Sequence, residues 1–205
     1  MLLWINGPFG GGKTQTAYEL HRRLPGSVVC DPEHVGFGLR RMQPAALRAD
    51  FQDIPAWRQG VREVLDMALR DMTMRGHPGP VIAPMTLVHP RYFAEIVGRL
   101  RDEGHEVHHF ALLAERSTVL RRLRERGAIR CRSGDSFAVA RLDECLERLR
   151  EPEFAEHIHT DHVPVPQVAE RVARSAGLSI APATDGPLRA RLRRFATSVR
   201  HIRFE

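Results

Sequence analysis

One stretch near the start of the chain limits what the rest can become. Gly7-Pro8-Phe9-Gly10-Gly11-Gly12-Lys13-Thr14 has a glycine, four open positions and then Gly-Lys-Thr, the spelling of a loop that wraps a polyphosphate with inward-turned backbone N–H groups. The flanks agree. The apolar run Leu2-Leu3-Trp4-Ile5 leads into the loop, and residues 14–24 repeat Ala17, Leu20 and Leu24 at helical spacing, so strand, loop and helix stand in the order such a site requires. The pattern predicts ATP and Mg²⁺ held by residues 7–15, Gln15 included, with Lys13 reaching the β and γ phosphates and Thr14 ligating the metal. Composition sharpens this: of 31 basic residues 30 are arginine, and the single lysine is Lys13, where a compact ammonium suits a tight loop better than a planar guanidinium.

At 205 residues the chain is long enough for one substantial α/β core, and we expect a domain over residues 1–180 followed by a linker and tail over 181–205. No apolar run is long enough to span a bilayer, and the first strand begins without a secretory leader, so the expected location is the cytoplasm. Cys30, Cys131 and Cys145 are too few and too irregularly spaced for a disulfide framework or a cysteine zinc site. The net charge of +6 suggests nucleic acid until its distribution is inspected, because residues 186–205 hold six arginines against one acid. The body is nearly neutral, which argues against a nucleic-acid-binding face.

Periodicity predicts strands at Ser27 to Cys30, Pro80 to Leu87, Val107 to Ala114 and His157 to His162, alternating with helices at Ala56 to Arg75, Arg91 to Glu103, Ser117 to Arg126, Phe137 to Arg150 and Gln167 to Ser175. Residues 34–55 are rich in turn formers, with one short helix near Gly36 to Met42, and read as poor core material. The alternation predicts a P-loop α/β fold, a parallel five-stranded sheet with helices on both faces and its ligand at the carboxyl ends of the strands.

Phosphoryl transfer needs a positioned metal, an activated acceptor hydroxyl and positive charge over the transferred group. The third strand ends at Thr86-Leu87 with no acid to orient the metal. Asp31, closing the second strand, is the alternative carboxylate for metal or base, and also fits an Asx turn before Pro32. Thr86 is a candidate at the same end of the sheet. Arg122 and Arg126, four apart, share a helix face and are the candidate lid arginines. Glu33, Phe37, Arg40, Gln52, Asp53 and Trp57 form an aromatic and polar mixture suited to gripping a polar ligand or to covering the sheet. His157, His159 and His162 are a poor metal set, since only the first two alternate onto one strand face.

The tail carries Leu188, Leu192, Phe195, Val199 and Ile202 at heptad-like spacing among its arginines. Such a basic amphipathic helix suits an anionic membrane surface, docking on its own domain or a dimer seam, leaving monomer and homodimer both open.

Four segments together carry a resemblance. Residues 4–14, Asp31-Pro32-Glu33 with Val35-Gly36-Phe37, Asp50-Phe51-Gln52-Asp53-Ile54-Pro55 with Trp57-Arg58, and Ala83-Pro84-Met85-Thr86-Leu87-Val88 look like bacterial tunicamycin-resistance proteins of the TmrB type. The resemblance covers residues 1 to about 180. It implies an ATP-binding, adenylate/shikimate-kinase-like protein protecting against tunicamycin, a lipid-bearing uridine nucleoside antibiotic. Drug phosphorylation, drug sequestration and an ordinary metabolite kinase stay open.

Overall fold

The computed structural model describes residues 1–76, 79–127, 139 and 141–183. Strands β1 Leu2–Asn6, β2 Val28–Val29, β3 Val81–Pro84, β4 Val107–Leu113 and β5 His157–His159 form one sheet in the order β2-β3-β1-β4-β5. All four pairings are parallel. The helices are α1 Lys13–Arg23, α2 Glu33–Met42, α3 Pro55–Met74, α4 Pro90–Phe93, α5 Arg99–Asp102, α6 Arg116–Gly127, α7 Leu142–Arg148 and α8 Val165–Ser175. A π-helical turn, Ala94–Gly98, joins α4 to α5.

Central β1 explains its own sequence. A strand covered on both faces must be apolar throughout, and Leu2, Leu3, Trp4 and Ile5 are all fully buried. Alternation splits them between two cores. Leu2 and Trp4 join Trp57, Val61, Leu65 and Leu69 of α3, while Leu3 and Ile5 join Ala17 and Leu20 of α1 and Val168 and Val172 of α8. Arg23, buried at the end of α1, fixes the second layer by donating to Ala181 O at 2.6 Å and to Glu170 of α8 at 2.7 Å.

Several boundaries differ from the sequence expectation for local reasons. Helix α2 starts at Glu33 because Asp31 Oδ1 accepts the Glu33 N–H at 3.0 Å. The third strand leaves the ladder after Pro84, and the Leu87 N–H goes to the Asn6 side chain instead. Residues 34–55 contribute to the core after all. Phe51 packs its ring 5.4 Å from Trp57 and 5.9 Å from Phe37, and Val35, Leu39 and Ile54 lie against the α3 side of the sheet. Gly36 makes this possible, since a Cβ there would sit 2.5 Å from the Phe51 ring. Phe137, Cys131, the arginines at 130 and 132 and the whole basic tail from 184 onward lie outside the described residues.

Gly36→Ala therefore sets about 1 kcal/mol of helix propensity gained against an overpacking cost of about 1–3 kcal/mol. We expect a net loss of stability in urea denaturation, and a stabilised variant would show that α2 and Phe51 do not meet as described.

Candidate active site

The loop after β1 has the backbone its glycines allow. Gly7, Gly10 and Gly12 have φ of 149°, 77° and 96°, conformations that strain residues bearing a Cβ. The loop closes on itself through Gly11 N–H to Pro8 O at 2.9 Å, and Lys13 Nζ donates to the same carbonyl at 3.0 Å. Helix α1 begins on Gly12 with no side-chain cap and no acid in its first turn, so its leading N–H groups and the lysine form one donor set at the carboxyl end of the sheet. That set fits a polyphosphate. Lys13 and the N–H groups of Gly12 to Gln15 would hold it, and the hydroxyl of the half-buried Thr14 would be the ligand for Mg²⁺.

The loop is anchored from beneath by Asn6, which is fully buried. Asn6 Oδ1 accepts the N–H groups of Gly7 and Leu87 at 2.8 and 3.0 Å, and Nδ2 donates to Leu87 O at 2.7 Å and to His109 Nε2 at 3.1 Å. His109 Nδ1 faces Ala155 O at 3.0 Å. Because a carbonyl only accepts, the proton sits on Nδ1 and Nε2 receives from Asn6. The ring is neutral, and burial pushes its pKa down to about 4. Thr86 completes the anchor by donating its hydroxyl to Gly7 O at 2.8 Å, and Gln52 Nε2 donates to Thr86 O at 3.1 Å. Neither Asn6 nor His109 was singled out from the sequence. The available signals were a polar residue closing the apolar run of β1 and a histidine inside the apolar run of β4.

A small open pocket adjoins the loop, lined by Phe9, Asp50, Gln52, Thr86, Val88, Arg141, Glu144 and Cys145. Phe9 connects it to the phosphate side, its ring centre 5.6 Å from Lys13 Nζ. Of the candidate ligand contacts, Gln52 and Thr86 line this pocket. Trp57 does not: it is fully buried, donates to Pro32 O at 3.0 Å and serves as a core ring, because the start of α3 faces the sheet. Asp53 is exposed and accepts the Tyr92 hydroxyl at 2.9 Å, a bond that pushes the tyrosine pKa up. Glu33, Phe37 and Arg40 lie on α2, half-buried. Asp31 stands at the β2 exit in its Asx turn, at the same end of the sheet as the loop. Arg122 donates to Thr160 O at 2.8 Å and Thr160 Oγ1 at 3.2 Å, binding α6 to the end of β5, and burial lowers its pKa. Arg126 lies on the same helix, and its side chain is outside the described set.

Among the described residues, the trio able to converge on a metal is Asp66, Glu103 and His105, not the histidines of β5. It sits at the amino-terminal end of the sheet, already occupied by ion pairs to Arg70 and Arg62.

A parallel sheet in this order, with a phosphate-binding loop leaving its central strand, defines a P-loop kinase-like protein. Residues 2–152 match the profile of an AAA domain family. The tunicamycin resistance protein of Deinococcus radiodurans is 36% identical, with a TM-score of 0.71 over 89% of this chain and 99% of that one. This chain belongs to the tunicamycin-resistance family of P-loop proteins. A gluconokinase from Sinorhizobium meliloti (17% identity, TM-score 0.57, covering 85% of this chain and 93% of that one) and the APS kinase of Mycobacterium tuberculosis (17%, 0.54, 86% and 96%) share the fold. No curated protein matches the chain significantly.

The neutral His109 gives the anchor a pH signature. Its folded pKa of about 4 lies below the ordinary value of 6.5, so the unfolded chain binds the proton more readily. Its contribution is complete above about pH 6.5 and is lost progressively as pH falls toward about 4. His109→Gln should flatten the fall in urea-denaturation free energy across that window by a few kcal/mol; an unchanged slope would show that the ring is not held neutral.

Proposed function

We propose that this chain is an ATP-dependent phosphotransferase acting on a nucleoside antibiotic of the tunicamycin type. The observation that carries the reading is adjacency, since Phe9 of the loop that presents Lys13 lines the pocket, and Thr86 on the pocket wall holds the loop at Gly7 O. Bound ATP supplies the phosphoryl group. Lys13 and the α1 N-terminus stabilise its negative charge, and Thr14 would hold Mg²⁺, which offsets charge on the phosphates. Asp31, at the exit of β2, takes the proton of the acceptor hydroxyl as general base. Arg126 on α6 brings positive charge to the phosphate side, Arg122 being held by Thr160, while Gln52 and Thr86, on the pocket wall, meet the acceptor. The similarity to the tunicamycin resistance protein of Deinococcus radiodurans supports the choice of drug.

A second reading, retention of the drug without chemical change, has one observation in its favour. The exit of β3 runs Thr86-Leu87-Val88, with no carboxylate where a metal-orienting acid would stand.

Drug-dependent release of ADP separates the two. We expect tunicamycin to stimulate ADP formation in the wild-type protein, and Lys13→Ala to remove at least about a hundredfold of ATP affinity, ~2.7 kcal/mol. Asp31→Asn should keep ATP affinity and lower turnover by about 10²–10⁴-fold. Full turnover in Asp31→Asn would leave Asp31 as a turn residue only, and drug binding with no ADP would favour retention.

A further inference from the structure

We infer that Arg58 is a positioning residue for the phosphate loop, acting through Gln52 and Thr86. The inference rests on the reading above only for a nucleotide at the loop, not for the transfer step.

Arg58 stands where an arginine gives least to folding. It lies near the start of α3, where a cation opposes the helix dipole, and it is buried, so its charge has been taken out of water. An apolar side chain of similar volume would fill the same space without that cost. What the guanidinium adds is reach in two directions. Its Nε donates to Glu95, a residue of the π-helical turn between α4 and α5, and its Nη1 donates to Gln52 O at 2.6 Å. Tyr92 covers the fork, its ring centre 4.2 Å from Arg58 Cζ, and sends its hydroxyl to Asp53. Glu95 accepts from Arg91 as well, and the two arginines, Arg58 foremost, hold its carboxyl below the usual carboxylate range.

The segment gripped in this way is the short turn Phe51–Asp53 with its cap Asp50, which accepts the Gln52 N–H at 3.0 Å and Arg141 Nη1 at 2.7 Å. From Gln52 the bonds run inward. Its Nε2 donates to Thr86 O at 3.1 Å, and the Thr86 hydroxyl donates to Gly7 O at 2.8 Å. Three successive bonds therefore join Arg58 to the first residue of the phosphate loop. Gly7 is held from two sides, its N–H by Asn6 and its carbonyl by Thr86. The Asn6 arm is complete within the strands, whereas the Thr86 arm is braced by the Gln52 side chain, whose backbone Arg58 fixes. A lysine cannot substitute, because a single ammonium does not span the Gln52 carbonyl and the Glu95 carboxylate as the fork does.

The test is a double-mutant cycle read by calorimetric titration of the full chain with MgAMPPNP. Arg58→Lys keeps a cation beside Glu95 and gives up the bond to Gln52 O; Gln52→Ala cuts the relay at its next link. We expect each to weaken MgAMPPNP by about three- to tenfold, the range of a single hydrogen bond, and the double variant to bind no more weakly than the weaker single one. An arginine that served the fold alone would lower the urea-denaturation midpoint and leave the affinity of the folded protein unchanged. Should Arg58→Lys fail to fold, Tyr92→Phe, which releases Asp53 of the same turn, takes its place in the cycle with the same expected pattern. The inference is overturned if either single variant binds MgAMPPNP as tightly as the wild type, if the two losses multiply in the double variant, or if the wild type does not bind MgAMPPNP. The expected cycle in a protein that forms no ADP with tunicamycin would sink the phosphotransferase reading and leave the role of Arg58 in place.

Discussion

The buried side chain of Asn6 sets the position of everything that follows. Its amide spends both oxygen lone pairs and both N–H groups on Gly7, Leu87 and His109, so no bonding capacity is left over and no alternative orientation satisfies it. A phosphate-binding loop needs a fixed origin, because its backbone donors act by preorganisation and a displacement of about 1 Å forfeits much of their effect. Asn6 supplies that origin at the point where β1 ends. The same residue terminates the β3 ladder, which frees Thr86 and Val88 to line the pocket beside the loop. One amide thus joins the phosphate loop to the pocket beside it.

From this centre the two halves of the site are built differently. The phosphate half is backbone, with glycine conformations and a helix start held over the central strand. The pocket half is side chains drawn from distant segments, including Asp50 and Gln52 before α3 and Arg141, Glu144 and Cys145 at α7. Gln52 bridges them by donating to Thr86 O, while the buried Arg58 holds the Gln52 carbonyl at 2.6 Å and pairs with Glu95. A rigid phosphate cradle beside a wall of adjustable contacts is an arrangement in which one fold accommodates different acceptors.

What the sequence made legible follows from locality. The loop could be read because its chemistry depends on consecutive residues, and the strands because an apolar run such as Leu2 to Ile5 has one use in a doubly covered sheet. Asp31 was recognisable as a strand-terminal carboxylate, and its Asx turn was the alternative already visible in Asp31-Pro32. Trp57 misled because an aromatic residue in a polar segment looks the same whether it faces a ligand or the core; only the position of α3 against Trp4 decides. Asn6 and His109 escaped for the opposite reason, since their meaning lies in hydrogen bonds between strands 103 residues apart. The Asp50 to Arg141 contact is likewise a product of topology, and no spacing rule announces it.

In a phosphotransferase, a phosphate bound over Asn6 leaves for the molecule in the adjoining pocket. The mass of tunicamycin recovered after incubation with the protein and MgATP tests this most directly. Phosphoryl transfer gives a drug heavier by one phosphoryl group, formed in step with ADP and absent when ATP is replaced by AMPPNP. Recovery of unmodified drug from a complex that forms only with nucleotide would contradict it.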